Sequence, residues 1–241
     1  MQEVLINLLA NFIWALIGVA GVLVWRSVFN IMPARRLWRF KNPEKLIICA
    51  TASTKEYTGK YYRPSTGIGQ LRALAILMSS LNTAYKGIKI KNIVMSDEAL
   101  SDRVENDIII LGGPKTNHLT RKLLDCIQEQ PLVDENEQYI EWKIAGEEGK
   151  FPENPESEGQ IHRDYGLIIR MKNPFSSDGS TVCLFSGHHT YGVIAAASYF
   201  INHYGSIVQS LKTASNLIAV IECDVIDNYP VRIRLKREKT F

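Results

Sequence analysis

The run Val4–Trp25, VLINLLANFIWALIGVAGVLVW, is 22 residues long and carries no charge. A helix of that length rises about 33 Å, enough to cross the hydrocarbon core of a bilayer. Residues 1–26 are therefore predicted to form a transmembrane helix. A cleaved secretion signal fits less well, because Glu3 stands where a basic segment would be and bulky Trp25-Arg26 stands where small residues would permit cleavage. Arg26, Arg35, Arg36, Arg39, Lys41 and Lys45 all follow the run. By the positive-inside rule the N-terminus faces out, and the rest of this single-pass protein faces the cytoplasm from the inner membrane.

Asn7, Asn11, Trp14, Gly18, Gly21 and Trp25 recur at steps of three and four and share one helical stripe. Amides and glycines are costly towards lipid and useful between helices, which predicts a homo-oligomer associating through the span. A monomeric anchor with its amides near the interface is the other reading, and for Asn7 the two are balanced. Residues 27–43 mix Phe29, Trp38 and Phe40 with Arg35, Arg36 and Arg39. That composition predicts a juxtamembrane linker lying against anionic headgroups, with the cytoplasmic domain, 44–241, starting at Glu44.

Within that domain three apolar runs each lead through a glycine turn into a helix pattern. Val182–Phe185 passes through Ser186-Gly187-His188-His189-Thr190-Tyr191-Gly192 into an apolar helix to Tyr204. Leu46–Thr51 is followed by Thr66-Gly67-Ile68-Gly69, and Asp107–Leu111 by Gly112-Gly113-Pro114-Lys115-Thr116-Asn117, each before a helix. Such turns expose backbone N–H groups at the positive end of a helix dipole, where phosphate is the usual guest. In a parallel sheet the carboxyl ends of the strands share one edge, so the three turns can meet in one crevice. The candidate ligand residues are Thr51, Gly67, Gly69, Gly112, Gly113, Asn117, Gly187, His188, His189, Thr190 and Gly192. The same glycines would equally serve tight turns and close helix packing.

The remaining segments fill out an α/β pattern. Ala52–Ser65 reads as a long loop in which Lys55, Lys60 and Arg63 among Tyr57, Tyr61 and Tyr62 could clamp a phosphate and stack a base. Ile88–Met95 is predicted as a strand, joined by a polar connection over 96–105 to the Asp107 strand. Tyr139–Ile144 and Asp164–Met171 are predicted as extended runs of a hairpin, separated by an acidic flap without structure of its own over Ala145–His162. Asn216–Val225 and Val231–Lys236, joined by Asp227-Asn228-Tyr229-Pro230, are predicted to be a terminal hairpin with RIRLKREK as its edge. The fold class that follows is a Rossmann-like three-layer α/β sandwich with a mainly parallel sheet and a C-terminal β hairpin, preceded by one transmembrane helix.

A net charge of +3 does not favour a DNA or RNA duplex as partner. Cys49, Cys126, Cys183 and Cys223 stand far apart on expected strands and a helix, which predicts buried reduced thiols and neither a disulfide frame nor a metal site. The sequence lacks a nucleophile elbow, a Walker lysine, a zinc-protease motif and a complete dinucleotide fingerprint, so no cofactor is expected. His188 and His189, at a helix N-terminus, could donate to a phosphate or serve as acid or base, with capping or packing as the plainer role.

A single span followed by an α/β domain with glycine turns resembles the membrane-anchored nucleotide-sensing effectors of bacterial antiphage systems, in which the span is joined to a CARF, TIR-like or SLOG-like domain. The resemblance implies a cytoplasmic domain that binds a cyclic or linear nucleotide signal and thereby alters an assembly in the membrane. A membrane-tethered enzyme acting on a nucleotide or nucleoside is the alternative.

Overall fold

The computed structural model describes residues 2–52, 54–57, 59, 62–96, 103–127, 131–133, 140–144, 147–151, 159–212 and 214–241. Helix α1 (Gln2–Arg26) continues without a break through a π-helical turn, Ser27–Ile31, into α2 (Met32–Trp38). The π turn has a local cause in Pro33, which lacks an N–H and whose ring crowds the carbonyl four residues back. The ladder widens there, and the Met32 N–H reaches the Ser27 carbonyl. Among the described residues this is the one helix long and apolar enough to cross a membrane. The stripe positions Asn7, Asn11, Trp14, Gly18, Gly21 and Trp25 are all exposed.

The far end of this helix lies in the core. Leu37, Trp38 and Phe40 are buried, Trp38 completely. The Trp38 ring meets Phe200 at 5.0 Å, Phe40 at 5.3 Å and Phe185 at 6.4 Å, and its Nε1 donates to Ser80 Oγ at 3.1 Å. Arg39 then ends the helix in the left-handed region. The expectation of a headgroup-facing linker over 27–43 is thus corrected for its last turn. Aromatic residues beside arginines suit an interface and a core edge equally well, and here the domain covers them.

The strands and helices that follow are, in chain order, β1 (Ile47–Ala50), β2 (Thr54–Tyr57), β3 (Tyr62–Ser65), α3 (Ile68–Ala84), β4 (Ile93–Met95), β5 (Ile108–Leu111), α4 (His118–Asp125), β6 (Pro131–Val133), β7 (Ile140–Ile144), β8 (Glu147–Phe151), β9 (Arg163–Lys172), β10 (Thr181–Gly187), α5 (Thr190–Asn202), α6 (Tyr204–Ser210), β11 (Leu217–Ile226) and β12 (Tyr229–Thr240). Seven strands form the main sheet in the order β12-β11-β9-β10-β5-β1-β4. β4, β1, β5 and β10 are mutually parallel; β9 runs against β10 and β11, and β12 runs against β11.

Alternation along the buried strands separates two cores. Ile48, Ile109, Leu111, Cys183 and Phe185 face α3, α5 and the end of α2, with Ala195-Ala196-Ala197 allowing α5 to lie close. Ile47, Ile108, Ile110, Val182 and Leu184 face α4, through Leu119, Leu123 and Leu124, and the small sheet, through Ile140, Trp142 and Phe151. The fold is mixed α/β, with five of the seven strands of the sheet running one way and a hairpin at its C-terminal end.

Several expectations change. Of the expected run Tyr139–Ile144, Tyr139 lies outside the described residues, and Ile140–Ile144 does not pair with the Asp164 strand; as β7 it lies between β6 and β8 in a separate three-stranded sheet. Part of the expected acidic flap, Glu147–Phe151, is therefore a strand, and 145–146 and 152–158 lie outside the described residues. Thr54–Tyr57 and Tyr62–Ser65 form an antiparallel hairpin in place of a loop, while Lys60 and Tyr61 of the expected clamp lie outside the described residues. Only Ile93–Met95 of the expected second strand is extended, after a 3-10 turn at Ile90–Asn92, and of its polar connection 97–102 lies outside the described residues. Cys126 is exposed at the end of α4; the other three cysteines are buried. The terminal hairpin is as expected, turning on Asp227 and Asn228, both at positive φ. Its edge strand keeps a solvated face on which Arg232, Arg234 and Lys236 pair with Asp224 and Glu222.

Candidate functional site

A cleft of about 620 Å³ opens at the carboxyl ends of β5 and β10. Eight of the eleven sequence candidates line it, namely Gly67, Gly69, Gly112, Gly113, Gly187, His188, His189 and Thr190. The three turns therefore do share one edge. Gly112 has φ +103°, and an added Cβ would collide with Thr51 Oγ1, so this bend requires glycine.

Three candidates serve the frame instead. Thr51 is buried and donates its hydroxyl proton to the Leu111 carbonyl at 3.0 Å. Asn117 caps α4, with Oδ1 accepting from the Leu119 and Thr120 N–H groups at 3.0 and 3.4 Å and Nδ2 donating to the Leu111 carbonyl at 3.1 Å. Gly192 lies where a Cβ would strike the Tyr165 carbonyl. Its N–H points to Asp164.

Asp164 is the residue that sequence reasoning missed. It stands near the start of β9, and because β9 runs antiparallel to β10, that start lies beside the carboxyl end of β10. The carboxylate is completely buried. Oδ1 accepts from the Tyr165 N–H at 2.8 Å and the His189 N–H at 3.1 Å, and Oδ2 from the Gly192 N–H at 2.6 Å. The first turn of α5 thus already holds an internal anion, which takes backbone donors that the sequence offered to a phosphate. The same carboxylate offsets the positive helix end on which the reading of His188 and His189 relied. Nδ1 of His189 is 3.4 Å and Nδ1 of His188 3.9 Å from Oδ1, and the two rings meet edge to face at 3.9 Å.

The first turn of α3 is different. Its N-cap is Gly67, which has no side chain to cap it. Gln70 and Arg72 from the opening turns of α3 and Thr116 from the β5 turn also line the cleft. The tip of the terminal hairpin borders the cleft, where Arg72 donates to the Asn228 carbonyl at 3.2 Å and the Tyr191 hydroxyl to Asn228 Oδ1 at 2.9 Å. Among the described residues the lining includes Arg72 and two histidines and no carboxylate residue. Beneath it, the Cys223 thiol donates to the Asp164 carbonyl oxygen at 3.6 Å, and burial pushes its pKa up to about 12, so it stands there as a neutral thiol.

Arg72 and Gln70 carried a legible signal, since polar residues in the first turns of a helix that follows a glycine turn face whatever the turn faces. Asn228 carried none, being brought in by pairing with strands far away in sequence. The chain matches no protein-family model and no curated protein sequence.

Proposed function

We propose that the protein is a membrane-anchored receptor whose cytoplasmic α/β domain binds a nucleotide-like anion and couples that binding to an oligomeric membrane segment, as an antiphage effector would. The observation that carries the reading is the cleft itself. It combines the uncapped first turn of α3, the glycine backbone of two strand turns and Arg72, with no carboxylate among the described residues of its lining. Its volume suits a ligand the size of a nucleotide.

Titrating the full chain in detergent with a panel of linear and cyclic nucleotides tests it. A micromolar ligand at about a thousand times its Kd raises stability by about 4 kcal/mol, a shift of several degrees. Arg72→Ala, a substitution at an exposed position, should weaken that ligand about 10- to 100-fold, as expected for a charge-assisted hydrogen bond. A panel that never moves the melting temperature overturns the reading.

Coupling has a short path. Trp38, at the end of the long helix, packs on Phe185 of β10 and Phe200 of α5, and these two elements are joined by the His188-His189 turn of the cleft. A ligand shifts the membrane assembly only by its differential affinity for two states, and a helix that runs unbroken from the span into the core carries such a difference further than a loose tether. The exposed stripe of Asn7, Asn11, Gly18 and Gly21 offers the contact between copies. Interhelical polar contacts in membranes contribute about 0.6–2 kcal/mol each. Asn11→Leu should therefore weaken detergent-resistant oligomers severalfold while leaving nucleotide affinity unchanged; crosslinking identical to wild type would reduce the helix to an anchor. Carbonate-washed membranes should retain the protein, and its C-terminus should resist protease added outside spheroplasts.

One contact favours a second reading. The approach of Asp164 to His189 resembles the carboxylate that orients a general base, which suits a tethered enzyme acting on a nucleotide. Product formed from NAD or common nucleotides, and lost in His189→Ala, would establish it.

A further inference from the structure

We propose that Asp164, His188 and His189 form a binding site for a divalent transition metal, with zinc or manganese the best match, in the wall of the cleft. One ligand atom from each residue lies within 4.8 Å of the other two. The residues come from two elements, β9 and the β10–α5 turn, so the cluster is made by the fold and not by a local sequence motif.

The spacing is close enough for one ion to reach all three, every pair of ligand atoms lying within 4.8 Å. A charge-assisted hydrogen bond between an imidazole and a carboxylate closes to about 2.7–2.9 Å. The two Nδ1 atoms lie farther out, that of His189 at a long hydrogen-bond distance of 3.4 Å and that of His188 at 3.9 Å from Oδ1. Ligands bound tetrahedrally at about 2.1 Å are separated by about 3.4 Å, so of the two edges to Asp164 that of His189 matches directly and that of His188 needs a shift of about half an ångström, while the edge between the two histidines is within 4.8 Å. Two imidazoles and one carboxylate suit zinc, manganese or iron and leave positions open for another ligand. The N–H groups of Tyr165, His189 and Gly192 hold the carboxylate in place, as outer partners do at metal sites.

His188 and His189 line the cleft while Asp164 lies behind them, so the open coordination positions face the cavity. The metal would take an oxygen of an anionic ligand directly, replacing the donors of α5 that Asp164 occupies. In this role the site rests on the anion reading; the binding of metal does not. Metal coordination through Nδ1 also excludes the Asp164–His189 pair as an acid–base device, since that nitrogen cannot both donate a proton to the carboxylate and bind the ion.

The test uses the full chain in detergent, stripped with a chelator and titrated with zinc or manganese chloride alone. We expect one equivalent bound with micromolar or tighter affinity, and His188→Gln and His189→Gln each weakening it at least tenfold. Lys122→Ala, an exposed position on α4 away from the cleft, should leave metal affinity unchanged. Failure of both metals to bind, or binding unaffected by both histidine variants, overturns the site. The nucleotide titration is repeated with and without chelator. A nucleotide shift that survives chelation keeps the anion reading and removes the metal from it; loss of the shift on chelation joins the two.

Discussion

Asp164→Ala is expected to destabilise the folded domain by about 3–5 kcal/mol, lowering the melting temperature by roughly 6–20 °C. Alanine would leave the N–H groups of Tyr165, His189 and Gly192 in or near the core without their acceptor. Water cannot readily replace it, because Asp164 is fully buried and Gly187 and Gly192 bring the α5 turn against the Tyr165 strand. Each buried donor left unsatisfied costs about 1–3 kcal/mol. Asp164→Asn retains a carbonyl oxygen and should recover part of the loss. Thermal unfolding of the full chain, followed by circular dichroism, makes the comparison. If alanine and wild type melt together, the carboxylate does not cap α5.

Trp38→Ala should cost as much, about 3–5 kcal/mol, the usual range for truncating a buried tryptophan. The side chain fills the junction of α2 with β10 and α5, and its removal also leaves the Ser80 hydroxyl without its donor. Truncation of the chain gives a sharper version of the experiment. A fragment beginning at Glu44 lacks Leu37, Trp38 and Phe40, all buried, and should aggregate or melt well below a fragment beginning at Met32. Phe40 matters for a second reason, since its N–H donates to the Tyr85 hydroxyl at 2.9 Å. Burial pushes the pKa of that hydroxyl up to about 12, so it stays protonated throughout the ordinary working range. Equal stability of the two fragments would restore the domain boundary at Glu44 that composition suggests.

The apolar run Val4–Trp25, the strand runs at 47–50, 108–111 and 182–187, and the terminal hairpin were all legible in the sequence. Each is set by local chemistry: an uncharged stretch of membrane length, short apolar runs of which two lead into glycine, and a turn that requires two residues at positive φ. The convergence of the glycine turns was legible too, because parallel strands place their carboxyl ends on one edge. What no local pattern contained was the partner of each surface. Trp38 beside arginines has the composition of a membrane interface, and only packing against Phe185 and Phe200 makes it core. Glu147–Phe151 has the composition of a solvated loop, and only pairing with β7 makes it a strand. Asp164 lies 25 residues from His189 in the chain and opens a strand of ordinary appearance. The antiparallel register of β9 against β10 alone brings its carboxylate to the first turn of α5, and so decides that this helix end holds an internal anion while the first turn of α3 remains uncapped.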